Sequence, residues 1–574
     1  MLLRHIDLRI FAAKIFFAIL GFIIVARLFQ IQVLSLDKYI NIAKSQQNRR
    51  LSIPAMRGNI YFKDGAPFAI SQISYFAFAE PKSLDKDKVN ELISAIEKVS
   101  KPLPPEVKES LTKDLWFVPL VHGLSEEQKL SLEKEIPKGL FFRKEYQRLY
   151  PENGLGNTIV GVLGGDENGG QVGYWGVEGY YNMDLVGRSG TILAEVDAVG
   201  SPIIIGNYSE IPQVPGRSIV LSVDRFAEHL LEEKLRYYLD LYGAISASAV
   251  IIDPASGAII AMADLTGQNK EDFNDVSEEK EEPAYINRVV GATYEPGSVF
   301  KALSMSAGID TQSVTPETTF MDSGPKYYSG YKVDTWNGQH FGVESMYGVL
   351  EHSNNLGAAF VGEKVGAKKL WQYYKKFGIG QILGIDMEGE QTGRLRDWEN
   401  WSDIDLVTAA FGQGVSATPL QVAMAFSVIA NGGDLLKPFV AVLVGKEDAR
   451  GIFENALSQN NRTVLSQVIS LSSSNTMIDM LTKAAASGEA KYFVSKKYKV
   501  AGKTGTAQIP VPGGYDPDRT NATFVGFLPE SRKFVMLVKF EEPTRSIFAA
   551  ETAVPAWMDV AEELANYYRI PVDF

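Results

Sequence analysis

Ser298 and Lys301 stand three residues apart in Tyr294-Glu295-Pro296-Gly297-Ser298-Val299-Phe300-Lys301. Pro296 and Gly297 break whatever precedes them, and Ser298 to Ala307 then reads as a helix with Ser298 in its first turn. Residues three apart on a helix share a face, so the serine hydroxyl and the lysine amine are predicted to meet. A serine hydroxyl is a poor nucleophile until a base takes its proton, and a neutral lysine is such a base once its pKa is pushed down. The positive end of the helix dipole lies beside any oxyanion formed at Ser298. The chemistry predicted is acyl transfer through a serine ester.

A Ser-x-x-Lys spacing alone is weak, since it recurs at Ser35, Ser83, Ser110, Ser131, Ser277, Ser323 and Ser329. Two further groups single out Ser298. Ser353-Asn354-Asn355, 55 residues on, supplies a hydroxyl to relay a proton and an amide to hold a substrate amide. That pattern is itself common, beginning also at Ser458 and Ser473. Lys503-Thr504-Gly505-Thr506, another 150 residues on, is the one Lys-[Ser/Thr]-Gly in the chain. Placed at a strand, Gly505 lets a substrate lie against the backbone. Two lysines facing one pocket repel, and burial disfavours charge on either. Lys301 is therefore expected to be neutral and to act as the base, while Lys503 stays charged and attracts a carboxylate. Thr504 and Thr506 offer hydroxyls to the same carboxylate, which suits a peptide attacked next to its own C-terminus. Gln413 is a candidate to line the cleft, Asp253 a turn residue and Glu295 a local hydrogen-bonding residue. His352 adjoins Ser353, but neighbours on a helix point about 100° apart, so its expected role is structural.

Together these motifs resemble those of penicillin-binding proteins and class A β-lactamases. Nearly the whole chain resembles a class B penicillin-binding protein, a monofunctional peptidoglycan D,D-transpeptidase. Arg57-Gly58 to Asp64-Gly65, Arg148-Leu149-Tyr150-Pro151 and Gly176 to Tyr181 resemble the pedestal of that family. Asp253 to Ala263, Tyr294 to Lys301, Gly384-Ile385-Asp386, Phe411-Gly412-Gln413-Gly414 through Gln421, and Lys503 to Thr506 resemble its transpeptidase domain. The resemblance implies that Ser298 forms the acyl-enzyme with Lys301 as base, and that Ser353 and Asn355 assist proton transfer and substrate binding. It implies an oxyanion hole made by the backbone N–H groups of Ser298 and Thr506. Stem peptides ending in D-Ala-D-Ala are the implied substrate and β-lactams the covalent inhibitors, with no cofactor and no metal. The implied partners are a polytopic SEDS-type glycosyltransferase and division or elongation proteins. The Tyr-Glu-Pro-Gly-Ser wording is closer to division-type than to elongation-type members. No Glu-x-x-Leu-Asn element follows Asn355, so hydrolysis by the class A β-lactamase route is unsupported, and no glycosyltransferase domain precedes the pedestal. Two rivals stay open. One is a D,D-carboxypeptidase or β-lactamase-like hydrolase using water. The other is a non-catalytic β-lactam-binding sensor or scaffold, a sensor needing more cytoplasmic chain than the some ten residues before the apolar run.

The elements that must position these groups read as an α+β protein. Residues 1–9 form a cytoplasmic tail. Residues 10–34 form a transmembrane anchor, with Lys14 and Arg27 snorkelling and no small-residue cleavage site at the exit. Basic residues before the span place the N-terminus inside a bacterial cytoplasmic membrane and the rest outside. Residues 35–215 form an elongated mixed α/β pedestal of the dimerisation type, carrying a solvated helical insertion over about 83–140. Residues 216–574 form a penicillin-binding domain, one antiparallel sheet flanked by helices, serine β-lactamase-like. Its predicted strands are Ser218 to Val223, Ala247 to Ile252, Ala258 to Ala263, Tyr498 to Gly502 leading into Lys503, Thr523 to Phe527 and Phe534 to Phe540. Asp224 caps a helix from Arg225, and Pro555 to Tyr568 closes the chain. The sheet is assembled from both ends of this half. Glu271 to Glu282 reads as an acidic surface loop.

Composition bounds the rest. The 574 residues exceed one ordinary core. A net charge of −12 without a basic stripe speaks against nucleic acid. There is no cysteine, which excludes thiol catalysis, disulfides and cysteine-bound metals, and the five histidines are scattered.

Overall fold

The computed structural model describes residues 2–136, 138–165, 171–195, 208–267, 286–448 and 453–574. The acidic stretch Glu271 to Glu282 lies outside them. The chain divides into two units, Met1–Met56 with Gly187–Pro215, and Arg57–Val186 with Gly216–Phe574.

The first unit opens with a helix, Leu2–Phe29, that continues through a π-helical turn, Gln30–Leu34. Within it Ile10–Leu34 is 25 residues of mean hydropathy 2.2 with no buried share, long and apolar enough to cross a membrane. Helix Leu36–Gln47 leads to strand Asn48–Ile53, which pairs antiparallel with Gly190–Glu195, itself paired with Tyr208–Ile211.

In the second unit, the strand Pro67–Ala79 is the spine of the pedestal region. Leu140–Leu149 and Val118–Leu124 pair with it, and the short strand Ile60–Tyr61 joins it to Ser218–Leu221 and then to Ala441–Glu447. One sheet therefore runs from the pedestal into the second half of the chain. Buried Glu178 receives Arg57 on one carboxylate oxygen and Arg148 on the other. Buried charges persist only when paired and hydrogen-bonded, as this one is. The buried Asp386 carboxylate accepts from Tyr181 OH at 2.7 Å, Val440 N at 2.6 Å and Ala441 N at 3.0 Å, tying the pedestal to the start of strand Ala441–Glu447.

The stretch 83–140 corrects the expectation of a solvated helical insertion. Val89–Val99, Pro105–Ser110 and Glu126–Glu135 are helices, but Val118–Leu124 is a strand of the pedestal sheet. Leu92, Ile96, Leu111, Val118, Leu132 and Ile136 form a core of their own. The Lys and Glu residues that dominate the composition cover only the outside. Leu124 ends the strand, and the helix expected from it starts at Glu126, because Ser125 caps it in a capping box with Gln128.

The second half centres on five antiparallel strands, β1 (Ser246–Ile252), β2 (Ile259–Thr266), β3 (Ala501–Val511), β4 (Gly514–Phe527) and β5 (Val535–Glu541), in the order β2-β1-β5-β4-β3. Alternate residues serve two cores. Ala247, Ala249, Ile251, Phe524, Val538 and Phe540 face helices Arg225–Tyr242 and Ala553–Tyr567, whereas Val250, Ile252, Val525, Phe527 and Leu537 face the helical half. Trp557 fills the first core and anchors it by donating Nε1–H to Met536 O at 2.8 Å. The third strand does not end at Gly502 as expected. It begins at Ala501 and runs through the lysine motif, and its partner starts at Gly514 rather than Thr523. Threonines and glycines masked the pattern, because strand pairing with β4 rather than side-chain hydrophobicity holds this edge.

Candidate active site

Ser298 lies in a 3-10 turn, Gly297–Val299, that runs directly into helix Phe300–Asp310. The helix is buried on nearly every side, Lys301 included at 1% exposure, as befits the central helix of a domain. The turn is held at several points. Tyr294 bridges Ala417 through both backbone bonds, Gly297 N donates to Gly412 O at 3.1 Å, and Glu295 accepts from Gly414 N and Tyr515 OH. Gly412 has a φ of +81°, and a Cβ there would lie 2.2 Å from Gly297 O, so only glycine fits.

Lys301 Nζ reaches three oxygens: Ser298 Oγ at 2.9 Å, Ser353 O at 2.5 Å and Ser353 Oγ at 3.1 Å. Ser353 stands between helices Met346–Glu351 and Asn355–Val365, with φ of +54°, a conformation a β-carbon disfavours. Asn354 fixes that strained turn. Its Oδ1 caps the second helix by accepting from Leu356 N and Gly357 N, while its Nδ2 donates to Asp322 and Glu344, both at 2.9 Å. Glu344 in turn holds His352 Nδ1 at 2.5 Å, and the His352 ring stacks on Phe341. His352 thus supports the loop and is not paired with Ser298.

Lys503 is 4% exposed on β3, the terminal strand of the sheet. Its Nζ reaches Ser353 Oγ at 3.1 Å, Thr504 Oγ1 at 3.1 Å and Thr504 O at 3.3 Å. Thr504 O and a Thr504 Oγ1 whose hydrogen goes to Glu489 can only accept, which suits an ammonium at Lys503. Burial and then the Lys503 charge push Lys301 well below the ordinary lysine range, with Glu489 and Glu344 opposing. Burial also lowers Lys503, against the pull of Glu489. Glu489, on the turn after helix Leu471–Ser487, accepts the Thr504 hydroxyl hydrogen at 2.5 Å. Thr506 is different. Its oxygen accepts from Ala549 N at 3.0 Å, and among the described residues its own hydrogen has no acceptor.

The structure therefore joins Ser298, Lys301, Ser353, Lys503 and Thr504 in one hydrogen-bonded chain. Asn355 stands beside it with its amide donated to Asp334 O at 2.9 Å. Gln413, half-buried, follows the Gly412 that seats the serine turn. Gly505 also has a packing role that the sequence did not show. A Cβ there would lie 2.8 Å from Pro296 O and 2.9 Å from Val299 Cγ1, so its bareness admits the serine turn. Trp336, two residues after Asp334, meets Phe548, one residue before Ala549, with ring centroids 5.5 Å apart. Sequence reasoning missed Glu489, which no spacing marks, and the bridging of Asn354, whose place before an apolar helical run is an N-cap signal.

Residues 247–559, more than half of the chain, match the penicillin binding protein transpeptidase domain. The chain belongs to that family. Residues 52–221 match the penicillin-binding protein dimerisation domain. Among its relatives, stage V sporulation protein D of Bacillus subtilis is 29% identical over 95% of this chain and 84% of its own. The probable peptidoglycan D,D-transpeptidase PbpC of Pseudomonas aeruginosa is 27% identical over 92% and 89%. Penicillin binding protein 2X from Streptococcus thermophilus shares the fold with a TM-score of 0.73 at 20% identity, over 91% of this chain and 80% of that one. The transpeptidase match spans all three motifs, and among the described residues no group of three or more His, Asp or Glu is placed to hold a metal ion.

Proposed function

We propose that this chain is a peptidoglycan D,D-transpeptidase in which Ser298 attacks the penultimate D-Ala carbonyl of a stem peptide. What carries the reading is the unbroken chain of contacts from Ser298 Oγ through Lys301 Nζ and Ser353 Oγ to Lys503 Nζ. Neutral Lys301 accepts the Ser298 proton through its lone pair while donating to Ser353 O. Ser353 passes its proton to the departing D-Ala nitrogen and regains one from Lys301, 3.1 Å away, while Asn355 holds the substrate amide. The backbone N–H groups of Ser298 and Thr506 receive the oxyanion. Lys503 and Thr506 grip the terminal carboxylate, supported by Thr504 and Gly505 on the same strand, with Gln413 along the cleft.

Loss of D-Ala leaves a serine ester, which an amine from a neighbouring stem resolves into a crosslink. A β-lactam enters the same ester chemistry and stays. The N-terminal helix anchors the chain in the bacterial cytoplasmic membrane with its N-terminus inside and both domains outside. A SEDS-type glycosyltransferase and division proteins are the partners this reading assigns to anchor and pedestal.

The test is product analysis on a stem peptide ending in D-Ala-D-Ala, with and without an acceptor amine. A crosslinked product with equimolar D-Ala supports transpeptidation. Shortened peptide alone in both reactions makes the protein a carboxypeptidase, and no D-Ala release in either removes the enzyme.

A further inference from the structure

We propose that Glu489 is a positioning residue of this reaction, holding Lys503 as an ammonium aimed at Ser353 through the hydroxyl of Thr504. The inference rests on the serine acyl-transfer reading above. Thr504 has one hydroxyl hydrogen, and it points to Glu489 Oε2 at 2.5 Å. Its oxygen is thereby turned toward Lys503 Nζ, 3.1 Å away, as an acceptor. Lys503 then has all three hydrogens placed, on Ser353 Oγ, Thr504 Oγ1 and Thr504 O. Thr504 Oγ1 and Thr504 O can only accept, so a neutral amine would fit only by taking the Ser353 hydrogen on its lone pair, a hydrogen that Lys301 also faces.

The charges around the pair are few. Lys301 faces Ser353 from helix Phe300–Asp310, Glu344 acts on Lys301 from the segment before Met346, and Glu489 approaches from the turn after Ser487. Glu344 is already occupied by His352 and Asn354. Glu489 is the carboxylate linked to Lys503 through a single hydroxyl. It also explains a division of labour on β3. Thr504 lends its hydrogen to Glu489, while Thr506, whose oxygen is filled by Ala549 N, keeps a free hydrogen for the substrate carboxylate.

The experiment is the initial rate of labelling of the full-length protein in detergent by a fluorescent penicillin, across pH, for the native chain, Glu489→Gln, Glu489→Asp, Thr504→Val and Ser298→Ala. Without the carboxylate Lys503 loses its proton earlier, so the alkaline limb moves down by about one pH unit, the low end for an opposite charge removed at short range. The rate on that limb falls about tenfold, since one unit is tenfold in protonation. Glu489→Asp restores part of the shift. Thr504→Val reproduces it, and adding Glu489→Gln to Thr504→Val moves the limb little further.

An unmoved limb in Glu489→Gln, or a uniform loss of rate at every pH, overturns the proposal and leaves Ser298 chemistry intact. Should Glu489→Gln fail to fold, Thr504→Val carries the same two outcomes. Label retained by Ser298→Ala would instead strike the underlying reading, whatever Glu489 does.

Discussion

The amines of Lys301 and Lys503 meet on one oxygen, Ser353 Oγ, each 3.1 Å away. Two ammonium groups sharing a buried acceptor repel strongly, so the stable arrangement has one charge and one lone pair. Contacts decide which. Each amine touches three oxygens, but two of those at Lys503, Thr504 O and the Thr504 Oγ1 that donates to Glu489, can only accept. At Lys301 only Ser353 O is so limited, and the Ser298 and Ser353 hydroxyls can donate.

Acylation by penicillin should therefore follow a bell in pH. Its rate rises as Lys301 deprotonates and falls as Lys503 does, both below the usual lysine range. Lys301→Arg keeps positive charge but has no accessible neutral form, so it should be as inactive as Lys301→Ala, each slower by roughly a thousandfold. Stopped-flow labelling checks both statements.

Gly505→Ala should slow acylation about tenfold or more, because the added Cβ presses on Pro296 O and displaces the serine turn. Overpacking of this kind costs about 1–3 kcal/mol, so a lowered melting temperature should accompany it.

Asn354→Ala removes a helix cap and leaves Asp322 and Glu344 short of a buried donor. The expected loss is about 3 kcal/mol in denaturant melts. Asn354→Asp keeps the cap but puts a third carboxylate beside two others. It should be worse than alanine at neutral pH and recover on acidification.

Glu228 is fully buried on helix Arg225–Tyr242, accepting from Met262 N on one oxygen, with its pKa raised first by burial and then by Glu232. The folded state thus holds a proton that the unfolded state releases near the ordinary glutamate value. Stability contributed by this group is present at low pH and falls as pH rises from about 4.5 through the folded pKa. Glu228→Gln should remove that fall, melting higher than the native chain at pH 8 and alike near pH 4, as scanning calorimetry would read.

The parts legible in the sequence were those written in side-chain type. Ser298, Lys301, Ser353 and Lys503 carry their chemistry in their identities, and the near-continuous apolar runs at Ala247 to Ile252 and Phe534 to Phe540 mark strands buried on both faces. What escaped was written in backbone geometry or in long-range pairing. Gly505 looked like room for a ligand, yet what fills the room is Pro296, some two hundred residues earlier. Val118 to Leu124 looked like part of a helical stretch until its partner in Pro67–Ala79 was in place. Glu489 is one acidic residue among many, and only the Thr504 hydroxyl gives it a role.

The most direct measurement is mass mapping of the protein after reaction with penicillin and digestion. A single adduct on the peptide holding Ser298, absent when that residue is alanine, is the predicted result. An adduct on any other serine, or a native protein that takes up no penicillin across the pH bell, would contradict the assignment of Ser298 as the nucleophile.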